Sequence, residues 1–135
     1  MHDWARLAGV ELRFPSQWHP AKSVHAMRMA TAIGENQAGV KAFAAQAFAA
    51  YFLREENLDD PAVLIAAADA AGLDGAAIWE AAQSAPVKQA LRDTTDELIA
   101  RGGYGSPTFF VGGTDMYFGN DQLPLVEAAL ERISR

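Results

Sequence analysis

The sequence predicts an α+β fold dominated by helix, on three observations. Five alanine-rich stretches with helical spacing run from residue 23 to residue 101, a single β-hairpin signal follows over residues 108–118, and an amphipathic segment closes the chain. At 135 residues the chain has the size of one ordinary domain and can bury a core of its own.

Near the start, Asp3 is placed to cap a short helix, Trp4 to Ala8, with Gly9 as its C-terminal stop. Val10 to Phe14 alternates apolar and charged side chains, the pattern of a short extended segment that Pro15 ends, although no pairing partner is evident. Ser23 is a good N-cap for a helix reaching about Gly34, with Val24, Met27, Ala30 and Ile33 inward. The next helix, roughly Asn36 to Arg54, carries Val40, Phe43, Ala44, Ala47, Phe48, Tyr51 and Phe52 at spacings of three and four, which predicts a core stripe. Asp59-Asp60-Pro61 opens a helix that Gly72 ends, Asp74 caps one through about Gln83, and Pro86 opens a long helix to Arg101 before Gly102-Gly103.

Thr108 to Val111 and Asp115 to Phe118 are rich in β-branched and aromatic residues around Gly112-Gly113, so they pair as a hairpin. Asn120 or Asp121 then caps a last helix, Gln122 to Ile133, with Leu123, Val126, Leu130 and Ile133 as its core stripe. Two strands alone make a marginal sheet, so this list holds helices enough but too few strands.

Composition excludes several functions. Seventeen acidic against eleven basic residues give a net charge of −6, unfavourable for nucleic acid or an acidic membrane surface. With no cysteine, the chain itself can provide no disulfide, thiolate metal site or thiol nucleophile. The three histidines, His2, His19 and His25, fit no metal spacing and read as surface or packing residues. No apolar run is long enough to span a bilayer and the start is unlike a signal peptide, so a soluble cytoplasmic protein is expected. The pairs Glu55-Glu56 and Asp59-Asp60 read as dipole compensation on a solvated face, and Gly102 to Gly105 is no nucleotide fingerprint.

Two short motifs hold the remaining chemistry. Ser106-Pro107 precedes the hairpin and by base rates is an ordinary trans proline. Asn120-Asp121 reads first as helix capping. A helix start also suits a carboxylate and an aspartate suits an ammonium, so binding and capping are compatible.

The segments VELRFPSQW, SVHAMRMATA, NLDDPAVLIAAADAAGLD, PVKQALRDTTDELIARGGYGSPTFFV and FGNDQL, in this order, give the chain a family likeness. It resembles the 2-hydroxychromene-2-carboxylate isomerases and the related kappa-class glutathione transferases, within the DsbA-like branch of the thioredoxin fold. The resemblance implies a truncated thioredoxin-like fold: an all-helical insertion over roughly residues 21–101, and a C-terminal thioredoxin half, hairpin plus helix, over roughly 102–135. The family's N-terminal strand, helix and strand have no counterpart here, and the Ser-Pro-Tyr type motif with the catalytic serine belongs to that part, so no catalytic residue is assigned.

The same resemblance implies a cis bond at Ser106-Pro107 and glutathione as cosubstrate, its peptide backbone against Ser106 and Pro107 and its γ-glutamyl end at Asn120 and Asp121. Trp18 could wall a pocket for a small aromatic-derived substrate, with core or interface packing an equal alternative. A homodimer is expected, and the edge of Thr108 to Val111 could form it by strand pairing. The alternative to an isomerase is a non-catalytic glutathione-binding or strand-exchange assembly module. Thiol–disulfide exchange would need a cysteine from elsewhere.

Overall fold

The computed structural model describes residues 1–134. Its contacts cluster into two compact units, one covering Met1–Leu91 and one beginning at Arg92.

The first unit is helical. α1 (His2–Ala8) ends at Gly9 in the left-handed region, φ 66°, as a helix stop requires. Asp3 does not cap it; it lies inside the first turn and pairs with Arg6 one turn on, where a carboxylate also complements the helix dipole. Residues 10–14 join no ladder, and the N–H of Arg13 donates to the carbonyl of Phe52 at 2.8 Å.

α2 (Val24–Ile33) starts where the sequence places it, but Ser23 is itself helical (φ −69°, ψ −7°) and makes no side-chain cap. The buried face is also rotated from the expected one. Met29 is fully buried, with Ala26, Ala30 and Ile33 beside it, while Val24 is exposed and Met27 is 50% exposed. Residues 26, 29, 30 and 33 satisfy the same three-and-four spacing, so periodicity alone could not choose between the two faces.

α3 (Gln37–Phe52) is capped by Asn36, whose side chain accepts from the Gly39 N–H at 3.0 Å. Phe43, Ala47, Ala50 and Tyr51 are buried, but Phe48 is not core as expected: it is 63% exposed. Asp60 caps α4 (Pro61–Ala70) and Asp74 caps α5 (Gly75–Ala82), each accepting a first-turn N–H at 2.9 Å. Asp59 instead accepts from the backbone N–H of Lys22 at 2.8 Å, and Glu56 pairs with Arg54 at 3.1 Å. Gly75 lets α4 and α5 touch: a methyl there would overlap the Ile65 carbonyl oxygen. Met29, Phe43 and Leu64 are the largest fully buried side chains of the resulting core, and each such burial stabilises by about 1.5–3 kcal/mol.

α6 (Ala85–Ala100) runs from the first unit into the second. Gly102 then turns the chain at φ 82°. In the second unit, β1 (Thr108–Val111) pairs antiparallel with β2 (Asp115–Phe118), with Thr108 opposite Phe118 and Val111 opposite Asp115. The Arg101 guanidinium lies 3.8 Å from the centre of the Phe110 ring, a cation–π contact that ties the end of α6 to the hairpin.

A 3₁₀ turn, Asn120–Gln122, follows, and α7 (Leu123–Ile133) packs on the sheet through Val126 and Ala129 against Val111, Phe109 and Tyr117. Two expectations fail here. The α-helix starts at Leu123 and neither Asn120 nor Asp121 caps it; and Leu123, Leu130 and Ile133, expected in the core stripe, are exposed, because a pair of four-residue strands offers α7 a contact only as wide as Val126 and Ala129. Arg132 bridges α7 to β2: its guanidinium is held above its ordinary value first by a hydrogen bond with Tyr117 and then by Asp115, which it meets at 3.2 Å. Among the described residues, no helix is long and apolar enough to cross a membrane.

Candidate functional site

In the second unit, one end of the hairpin gathers all four residues expected to hold glutathione. The Ser106–Pro107 bond is cis, and both residues are exposed. The N–H of Gly119 donates to the Pro107 carbonyl at 3.0 Å, so the loop entering β1 is fastened to the turn leaving β2. Asn120 and Asp121 come next in that turn and are exposed. The Thr108 hydroxyl donates to the Gly105 carbonyl at 2.5 Å, which closes the loop from below.

Gly105 and Gly119 allow this closure. The Phe118 ring lies where a Cβ of residue 105 would sit, and it also meets the Tyr104 ring at 4.7 Å between centroids. Gly119 has φ 106° and ψ 151°, a conformation open almost only to glycine, and the Asp121 carboxylate fills the space where its Cβ would lie. Asp121 accepts from the Gln122 side-chain amide at 3.1 Å. The end of the hairpin therefore offers an exposed backbone segment at Ser106 and an anionic acceptor at Asp121. Backbone pairing with a peptide and a charge-assisted bond to an ammonium are the two interactions such groups make.

Trp18 belongs to the first unit. It is 44% exposed, in a turn where its backbone N–H donates to the Ser16 hydroxyl at 3.1 Å. Its neighbour His19 sits in a more elaborate setting than a surface histidine: Nδ1 is 2.8 Å from the Tyr51 hydroxyl, and the ring meets Phe14 edge-on at 4.8 Å. Tyr51 is 32 positions away, so no local spacing announces the pair. Among the described residues, no group of three or more His, Asp or Glu side chains is close enough to hold a metal ion.

The family model of the DSBA-like thioredoxin domain matches residues 1–131. The chain belongs to that family. Its fold, seven helices with a two-stranded hairpin among the described residues, is accordingly of the DsbA-like thioredoxin type. Among solved structures, selenomethionine-labelled 2-hydroxychromene-2-carboxylate isomerase (HCCA isomerase) is similar to this DsbA-like chain, with a TM-score of 0.76 and 26% identity. That match covers 99% of this chain and 64% of the isomerase chain, so the chain spans about two thirds of the length of that relative. No curated protein matches the chain significantly.

Proposed function

We propose that the chain supplies the glutathione-recognition part of an isomerase of the 2-hydroxychromene-2-carboxylate type. The likeness to HCCA isomerase along 99% of the chain carries this reading. In it, the exposed N–H and C=O of Ser106, beside Pro107, pair with the backbone of glutathione as an added strand would. Asn120 and Asp121 receive the γ-glutamyl end, with the Asp121 carboxylate on its α-ammonium. The glutathione thiol, held as thiolate by a serine of the family's Ser-Pro-Tyr type motif, adds to a small aromatic-derived substrate and permits ring opening and isomerisation. A glutathione-dependent reaction fits a reducing cytoplasm.

Calorimetric titration with glutathione should give saturable binding, weakened about tenfold in Asp121→Ala by loss of a charge-assisted hydrogen bond. An unchanged affinity in that variant removes Asp121 from the site, and no binding to the unaltered chain removes the whole reading. Because the four proposed residues recognise glutathione and none of them activates its thiol, residues 1–135 alone should turn over 2-hydroxychromene-2-carboxylate with glutathione little or not at all. Robust turnover in a spectrophotometric assay contradicts this division of labour.

A second reading, a non-catalytic binding or strand-exchange module, is favoured by one observation. β1 pairs only with β2 among the described residues, which leaves the other edge of Thr108 to Val111 open to a second copy. Light scattering after size exclusion should then report a homodimer that dissociates when a proline replaces Phe110. A monodisperse monomer at high concentration overturns it.

A further inference from the structure

Within the first unit, Trp4 and Leu7 stand one turn apart on α1 and form its apolar side, with Met1 before them and Val10 after. All four are exposed, Trp4 at 61% and Leu7 at 78%, and α1 buries no residue. The helix is nevertheless held in place: His2 Nε2 lies 3.0 Å from the Phe14 carbonyl oxygen, and the Val10 N–H donates to the Ala5 carbonyl at 2.9 Å. A seven-residue helix is marginal on its own hydrogen bonds and draws stability from burying an apolar side. Next to this ridge, a hollow of about 250 Å³ lies between residues 10–12 and α3. Val10, Leu12, Phe48, Ala49, Phe52 and Leu53 wall it, and Glu11 is its one charged lining residue among the described residues.

We infer that two copies of the chain dock through this surface, the apolar side of α1 in each copy seated over the hollow of the other. Three observations select a second copy as the occupant. Ridge and hollow share Val10, so they form one continuous surface that is complementary to itself about a twofold axis. The charge of that surface is balanced: residues 1–14 carry Asp3 and Glu11 against Arg6 and Arg13, and the chain's net charge of −6 therefore lies elsewhere. Like copies repel through an acidic surface but not through this one. The ion pairs here, Arg6 with Asp3 and Arg13 with Glu11, are exposed and weak, so their four groups are free to pair again across the twofold. The third observation is area. Met1, Trp4, Leu7, Val10 and Phe48 leave on the order of 100 Å² each uncovered, so two copies bury about 1,000 Å², the threshold of a specific interface. Phe48, a large aromatic left out of the core, is accounted for as a wall of the hollow. This surface belongs to the first unit alone and depends on neither reading of the hairpin.

The test is light scattering after size exclusion of the full chain over a range of concentrations, in which a dimer is expected at the upper end. Leu7→Glu changes an exposed position and should weaken that dimer about tenfold or more at unchanged helical content, because its carboxylate enters an apolar contact unpaired. Phe110→Pro should leave it intact. The chain has no cysteine, so single thiols report proximity without background. When Leu7→Cys chains are mixed with Ala45→Cys chains under mild oxidation, the disulfide between positions 7 and 45 should form several-fold faster than one between positions 7 and 128 in a mixture with Ala128→Cys. Ala45 lines the hollow, whereas Ala128 is an exposed residue of α7. A monomer at every concentration overturns the inference, as does equal cross-linking of positions 45 and 128. A dimer that Phe110→Pro dissociates and Leu7→Glu does not is joined at the hairpin edge and also overturns it. Glutathione titrated into Leu7→Glu should bind as it does to the unaltered chain, so the glutathione reading stands or falls separately.

Discussion

Phe43→Ala should lower the free energy of unfolding of the helical unit by about 3–5 kcal/mol, a large part of what a small domain has. Phe43 is 2% exposed and belongs to the cluster that holds Met29, Tyr51 and Leu64, contributed by three different helices. Truncation removes the transfer free energy of a ring and leaves a cavity whose walls are helix backbones, which cannot close on it fully. Phe48, five residues along the same helix, is the internal control. It is 63% exposed, and Phe48→Ala should change stability by no more than about 0.5 kcal/mol. Urea unfolding followed by far-ultraviolet circular dichroism compares the two directly, and equal losses at both positions would contradict the assignment of the buried face. Residue type and helix are the same in both variants, so propensity differences cancel and burial alone separates the outcomes.

That pair also shows where sequence reading stops. In α3 the apolar residues are so numerous, and so many are alanine, that a stripe through Val40, Ala44 and Phe48 scores like one through Phe43, Ala47, Ala50 and Tyr51. Tertiary packing makes the choice. The same ambiguity puts Met29 rather than Met27 in the core of α2. Helix starts were legible where a side chain of the right type stands in non-helical backbone, as at Asn36, Asp60 and Asp74. They were not at Ser23, whose own backbone is helical, nor at Asn120 and Asp121, where the 3₁₀ turn after Gly119 delays the helix to Leu123. The hairpin was readable from local composition. The cis bond at Pro107 was readable only through family likeness, and the cis bonds at Pro15 and Pro20 carried no signal in the sequence. His19 and Tyr51 meet through folding of a loop onto α3, and no periodicity encodes such a meeting.

Gly119→Ala should weaken glutathione binding at least as much as Asp121→Ala does, although residue 119 offers the ligand no side chain. At φ 106° and ψ 151° an alanine costs about 1–3 kcal/mol of backbone strain, and its methyl would occupy the place of the Asp121 carboxylate. Relief can come in two ways. Asp121 can swing aside, which removes the proposed ammonium acceptor, or the backbone at 119 can rotate, which breaks its hydrogen bond to the Pro107 carbonyl and uncouples the Ser106 loop from the turn. Either way the two halves of the proposed site no longer address one ligand together. Gly113→Ala is the matched control. It too is strained, at φ 93°, but nothing lies within 4 Å of its added methyl and it sits in the turn at the opposite end of the hairpin. Both variants should lose protection against amide hydrogen exchange in the hairpin, but only Gly119→Ala should lose glutathione affinity in calorimetry. If Gly113→Ala loses affinity equally, general loosening of the hairpin is the cause, and the placement of Asp121 by Gly119 is not what binds the ligand.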